Sequence, residues 1–153
     1  MLSKKTQYAF KALIYLSEQT SKGPVLISDI SKKQKIPLKF LENILLELRK
    51  AGVLESKKGK GGGYYFALDP KEVSLAKIMR LLDGPIALLP CVSLNFYQRC
   101  KDCDEQICGL NRMMIQVRDA TLKVLETKTL ADLAYNEDCV RLDQPAIDVP
   151  GKG

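Results

Sequence analysis

The chain has 153 residues, 46% of them hydrophobic, with 24 Lys+Arg against 18 Asp+Glu and no histidine. That length holds one core, or one small domain with an extension. The missing histidine excludes a Ser-His triad, a Cys-His nucleophile pair and a mixed Cys/His zinc site, and no apolar run approaches the roughly 20 residues of a membrane-spanning helix. Charge is uneven: residues 1–84 carry 16 Lys+Arg and 8 Asp+Glu, a net +8, while 85–153 carry 8 and 10, a net −2. The basic half is the candidate for binding nucleic acid or an anionic surface. Lys4, Lys5, Lys11 and Glu18 interrupt the N-terminal segment, which therefore lacks the apolar core of a signal peptide, and a cytoplasmic location is expected.

Taken in order, Tyr8, Ala9, Ala12, Leu13 and Leu16 recur at helical spacing behind Ser3, a suitable N-cap, and predict a first helix. Gly23-Pro24 breaks it, and Val25-Leu26-Ile27 reads as a short strand or an entry segment. Ser28 and Asp29 are expected to start a second, short helix that runs to about Lys35, buries Ile30 and ends at Ile36-Pro37, because a residue before proline leaves the helical region. From Pro37, Leu38, Leu41, Ile44, Leu45 and Leu48 form one apolar face up to Ala51, with Gly52 as the stop. Two short helices joined by a tight turn predict a helix-turn-helix. The outward face of its second helix carries Lys39, Glu42, Asn43 and Lys50.

Val53 to Ser56 and Tyr64 to Leu68 read as two strands, the second rich in aromatic β-formers. Between them, Lys57-Lys58-Gly59-Lys60-Gly61-Gly62-Gly63 reads as a wing: glycines permit close approach to a duplex, and Lys57, Lys58 and Lys60 supply phosphate contacts. The spacing does not match a nucleotide-binding P-loop, and no helix follows the glycines. Asp69-Pro70 turns the chain, and Ser74 caps a helix carrying Leu75, Ile78, Met79 and Leu82 that stops at Asp83-Gly84-Pro85. The architecture expected is mainly α with a small β-wing, as a winged helix-turn-helix over 1–84.

Residues 85–108 contain four of the five cysteines, spaced C-x8-C-x2-C-x4-C as Cys91, Cys100, Cys103 and Cys108. Close-set cysteines in a reducing compartment favour metal ligation or reactive thiols over disulfides. Arg99, Lys101 and Arg112 lie near in sequence and favour the thiolate form. Four thiolates make a complete donor set for an iron-sulfur cluster or for tetrahedral zinc; free thiols without metal are the alternative. A redox enzyme built on Cys100-x-x-Cys103 lacks the βαβ setting and apolar groove it needs, so no enzyme is expected. Cys139 reads as incidental. From Gly109, Leu110, Met113, Met114, Val117, Thr121, Val124 and Leu125 are expected on one face of a long helix. Thr129 caps a short closing helix, completing a 109–135 segment, and 136–153 reads as a disordered tail.

The ordered set of TQYAFKALIYL, PLKFLENILLELRKAGVLES, KGKGGGYYFALDP, SLAKIMRLLDG, the cysteine loop, a long helix and TLADL resembles the Rrf-two family of bacterial winged-helix regulators, the group that includes IscR, NsrR and CymR, over roughly residues 1–134. The resemblance implies a homodimeric regulator that binds palindromic double-stranded promoter DNA, with the long helix covered by its twin. In many members an iron-sulfur cluster senses iron, nitric oxide or redox state; others answer to a partner protein or to thiol chemistry. It implies that Glu42 helps choose among DNA sites, that Lys58 reaches the minor groove, and that Cys91 and Cys108 are the outer ligands of the loop. The family's usual loop has three cysteines with five residues in each gap, so Cys100, Cys103 or both can be the inner ligand here. The histidine that completes the cluster in IscR falls near Asn111, and the aspartate that does so in NsrR near Gln7; neither matches in type.

Overall fold

A computed structural model describes residues 2–134, so the tail proposed for 136–153, with Cys139, lies outside the described residues. The elements in order are α1 (Lys4–Glu18), α2 (Ile27–Gln34), α3 (Leu38–Lys50), β1 (Leu54–Lys57), β2 (Gly63–Phe66), α4 (Leu75–Leu82), α5 (Gly109–Thr127) and α6 (Leu130–Leu133), with single 3-10 turns at Thr20–Lys22, Pro70–Glu72 and Pro90–Val92. The architecture is mainly helical with one two-stranded sheet, as expected.

Helix ends follow local chemistry. Ser3 Oγ accepts the Thr6 N–H at 3.1 Å and Ser74 Oγ accepts the Lys77 N–H at 3.2 Å, each satisfying a backbone donor that a helix start leaves open. Helix α2 departs from the sequence expectation at both ends. It begins at Ile27, not Ser28, because Val25 exchanges hydrogen bonds with Tyr64 of β2 (2.9 and 2.8 Å) and the chain turns directly after, leaving Leu26 as the N-cap. It ends at Gln34, before the proline restriction acts: Lys35 takes the left-handed conformation (φ 53°), and the Ile36 N–H reaches back to the Ser31 carbonyl at 3.1 Å. This turn sets α3 against α2.

One core joins these elements. Ala9, Ala12, Leu13 and Leu16 of α1 meet Ile30, Leu41, Ile44, Leu45, Leu48, Val53, Leu54 and Ile78, all essentially solvent-free. Leu38 was expected on the apolar face of α3 but is exposed, since it precedes the first turn that packs on α1. The closing segment enters the same core: Leu130 is fully buried, the Leu75 N–H donates to the Lys128 carbonyl (2.9 Å), and the Leu130 N–H donates to the Val73 carbonyl (2.9 Å). Thr129 and Asp132 cap α6 reciprocally, with the Thr129 N–H donating to Asp132 Oδ2 at 2.7 Å.

Strands β1 and β2 pair antiparallel with Leu54 opposite Phe66 and Lys57 opposite Gly63. Two wing glycines are demanded by the fold itself. A Cβ on Gly62 would lie 2.2 Å from the Lys57 carbonyl oxygen, and one on Gly63 (φ 142°) would lie 2.3 Å from the Val25 carbonyl oxygen.

Candidate nucleic-acid interface and thiol loop

Helix α3 divides cleanly by face. Leu41, Ile44, Leu45 and Leu48 are buried, and Lys39, Glu42, Asn43 and Lys50 are exposed, all as the spacing predicts. Lys39 Nζ stands 3.5 Å from Glu42 Oε2, one helical turn on, so the carboxylate at the front of the helix carries its own counter-ion. The start of α3 is fixed by aromatics: the Phe40 and Tyr8 rings meet edge-on at 5.7 Å, and Lys4 Nζ lies 5.5 Å over the Tyr8 ring. Its end is fixed by Arg49, whose Nη1 donates to Ser56 Oγ at 2.9 Å. Lys57, at the end of β1, and Lys58 and Lys60, in the turn, are all exposed. Among the described residues none of the three is ion-paired. The wing and Lys50 at the end of α3 thus present unneutralised lysines beside the Lys39–Glu42 pair and Asn43.

The cysteine loop leaves α4 after Gly84, makes the turn at Pro90–Val92 and enters α5 at Cys108. Cys91, Cys100 and Cys108 are half-buried and Cys103 is exposed. Cys108 is itself the N-cap of α5, its Sγ accepting the Asn111 N–H at 3.4 Å. That bond, first among several, holds the Cys108 thiol below its ordinary range, with the Cys103 thiol and the Leu110 N–H adding to it against the effect of burial. Cys103 faces both neighbours and is pushed up to about 12, chiefly by its hydrogen bond with Cys100 and then by desolvation and Cys108. Cys91 is reached from α5: Asn111 Nδ2 donates to its Sγ at 3.5 Å. One residue on, the Val92 carbonyl accepts from Arg118 Nη1 at 2.7 Å.

The donor set fits a soft metal by its chemistry: four thiols, with N–H groups aimed at two of the sulfurs. Among the described residues no three cysteine or acidic side chains are gathered into a ready cage. Asn111 instead links Cys108 to Cys91 through its backbone and side-chain nitrogens.

Three residues of this arrangement escaped sequence reasoning. Asn111, considered only as a misfit for a ligand, lies at the centre of the site and is 6% exposed. Glu105 spans the loop, accepting the Cys100 N–H at 2.9 Å and the Tyr97 hydroxyl at 2.8 Å; these two bonds hold its carboxyl below the usual range. Arg118 had no role assigned. No spacing rule announces any of them. A correction also applies to α5. The residues expected on one face are split: Leu110, Met113, Val117 and Val124 are exposed, Met114 is half-buried, and Leu125 packs against the core. The domain-facing line instead runs through Asn111, Ile115, Arg118 and Leu122, at steps that the long-helix period allows but that include two polar residues.

The family profile described as Rrf2, iron-dependent transcriptional regulator, matches residues 2–136. A helix-turn-helix transcriptional regulator of Rhodobacter capsulatus, designated rrf2-like, is 40% identical over 137 residues, covering 87% of this chain and 91% of its own length. Among solved structures, CymR, the global cysteine regulator of B. subtilis, superposes with a TM-score of 0.74 at 28% identity over 88% of this chain and 95% of its own. IscR of T. potens gives a TM-score of 0.69 at 26% identity over 87% and 85%. With a winged helix carrying a basic face and with regulators as its relatives, the chain belongs to the Rrf2 family of DNA-binding transcriptional regulators, homologous to IscR and CymR, and not to an enzyme family.

Proposed function

We propose that the chain acts as a homodimer on palindromic promoter DNA, with affinity set by an iron-sulfur cluster bound through Cys91, Cys100, Cys103 and Cys108. The observation that carries this reading is the position of the loop. Its first residues are tied by Asn111 and Arg118 to one side of α5, while the other side of that helix exposes Leu110, Met113, Val117 and Val124. Such a stripe matches a coiled-coil seam, and covering each of its large side chains by a twin helix is worth about 1.5–3 kcal/mol at full burial. In this division, 1–84 reads DNA, 85–108 senses, and 109–135 joins two subunits.

Each subunit lays α3 in a major groove, with Lys39, Glu42 and Asn43 toward base edges and Lys57, Lys58 and Lys60 on the flanking backbone or minor groove. A carboxylate at Glu42 accepts from cytosine and repels phosphate in a wrong register. When bound, the cluster supplies a centre that responds to iron, nitric oxide or redox state. The chain's own part is to hold four sulfurs beside the helix that fixes the spacing of the two reading heads. The test compares operator affinity of anaerobically loaded and metal-free protein. A ratio of about 5–150-fold is expected; equal affinities would refute control by the loop.

A second reading is favoured by the influence of Cys100 and Cys108 on the Cys103 thiol, which they push up. Here the loop works without a cluster, through thiol oxidation or a partner protein; an oxidized form is described for the CymR of Staphylococcus aureus. In that case DNA affinity follows oxidant or partner and is indifferent to iron. A structural zinc on the same four thiolates would give neither response.

A further inference from the structure

Asn111 is a polar side chain buried to 6% exposure at the third position of α5, yet neither the helix nor the core calls for an amide there. Both of its nitrogens donate to sulfur. The backbone N–H donates to Cys108 Sγ at 3.4 Å and the side-chain Nδ2 donates to Cys91 Sγ at 3.5 Å. These are the last and first cysteines of the loop, and Asn111 lies twenty residues along the chain from Cys91. A buried amide that gives its donors to two sulfurs fixes where those sulfurs sit relative to each other, because a buried donor keeps the partner it has.

We infer that Asn111 is a positioning residue for the thiol site: its side-chain N–H holds the Cys91 sulfur in place beside Cys108, where a metal would be bound. This rests on the reading of the loop as a thiolate metal site. The residue acts through Cys91 and is not itself a ligand. The neighbouring backbone is held independently, because Arg118 Nη1 bonds the Val92 carbonyl at 2.7 Å two turns further along α5. Removing the amide therefore leaves segment 91–92 docked while deleting the one donor to Cys91 sulfur among the described residues.

The experiment titrates Co²⁺ alone, anaerobically, into the full-length reduced, metal-free chain and follows the thiolate-to-cobalt absorption. Asn111→Leu keeps the volume and removes the donor; Asn111→Ala removes donor and volume together; Asn111→Gln keeps an amide. Wild type is expected to show the thiolate band, and both N111L and N111A to bind about 10–100-fold more weakly, the usual cost of losing an outer-shell partner. N111Q is expected to recover part of that loss. In a Cys91→Ser background, N111L should cost nothing further, a coupling that a merely structural role would not produce. Wild-type affinity in N111L, or the same loss with and without Cys91, overturns the assignment and leaves the metal reading standing. Absence of any thiolate band in the wild type overturns both.

Discussion

Replacing the three wing lysines with alanine, as Lys57→Ala/Lys58→Ala/Lys60→Ala, tests the proposed DNA-facing surface through its salt dependence. All three side chains are exposed, and among the described residues none is neutralised by a carboxylate, so each is free to meet a phosphate. Each phosphate contact contributes about 0.9 to the slope of log K against log salt on duplex DNA. Three contacts per wing give about 2.7, and the two wings of the proposed dimer about 5.4. Between 50 and 200 mM salt, wild type should then lose about three orders of magnitude more affinity than the triple variant. Lys58→Ala alone should flatten the slope by about 1.8 per dimer. Fluorescence anisotropy on a mixed-sequence duplex is sufficient, since this term is independent of sequence. Tyr64, Tyr65 and Phe66 hold the hairpin and are untouched, so unfolding is not expected. A triple variant with the wild-type slope would remove the wing from the interface.

Leu130→Ala should destabilise the chain by about 2–5 kcal/mol in urea unfolding, since Leu130 is solvent-free in the core shared with α1; a change below about 0.5 kcal/mol would mean that α6 is only loosely attached. Val117→Glu places a charge in the exposed stripe of α5 and should shift the chain to monomer in light scattering while its helical content stays constant; an unchanged dimer would locate the interface elsewhere. The Asp132 carboxyl is held below its ordinary range first by the Thr129 N–H and then by the Thr129 hydroxyl. Its folded pKa is therefore depressed, so its contribution is present above the unfolded value of about 3.9 and is lost as pH falls through the folded value. Thermal melts of Asp132→Asn and wild type should differ at neutral pH and converge in acid. A difference that persists below pH 2 would contradict the cap's ionic character.

The N-terminal half was legible because its signals are local. Ser3 and Ser74 announce helix starts, the period of Leu41, Ile44, Leu45 and Leu48 gives the buried face of α3, and aromatic β-formers beside a run of glycines give the wing. Details set by partners distant in sequence were not. The start of α2 depends on Val25 pairing with Tyr64, and the end on Lys35 entering the left-handed region before proline acts. The cysteine segment was found by residue type and spacing, but Asn111, Glu105 and Arg118 owe their roles to hydrogen bonds across the loop. Helix α5 shows the limit of periodicity: it carries one apolar line and one mixed line, and only tertiary packing decides which one turns inward. Here Leu122 and Leu125 face the domain while Met113 and Val124 face out.

The most direct test of the account is an anaerobic preparation of the full chain with iron, acid-labile sulfide and zinc measured beside its visible spectrum. A brown protein with iron and matching sulfide, both lost when Cys91, Cys100, Cys103 and Cys108 are changed to serine, is the predicted result. A colourless protein with neither iron nor zinc, binding DNA as tightly as the four-serine variant, would contradict it.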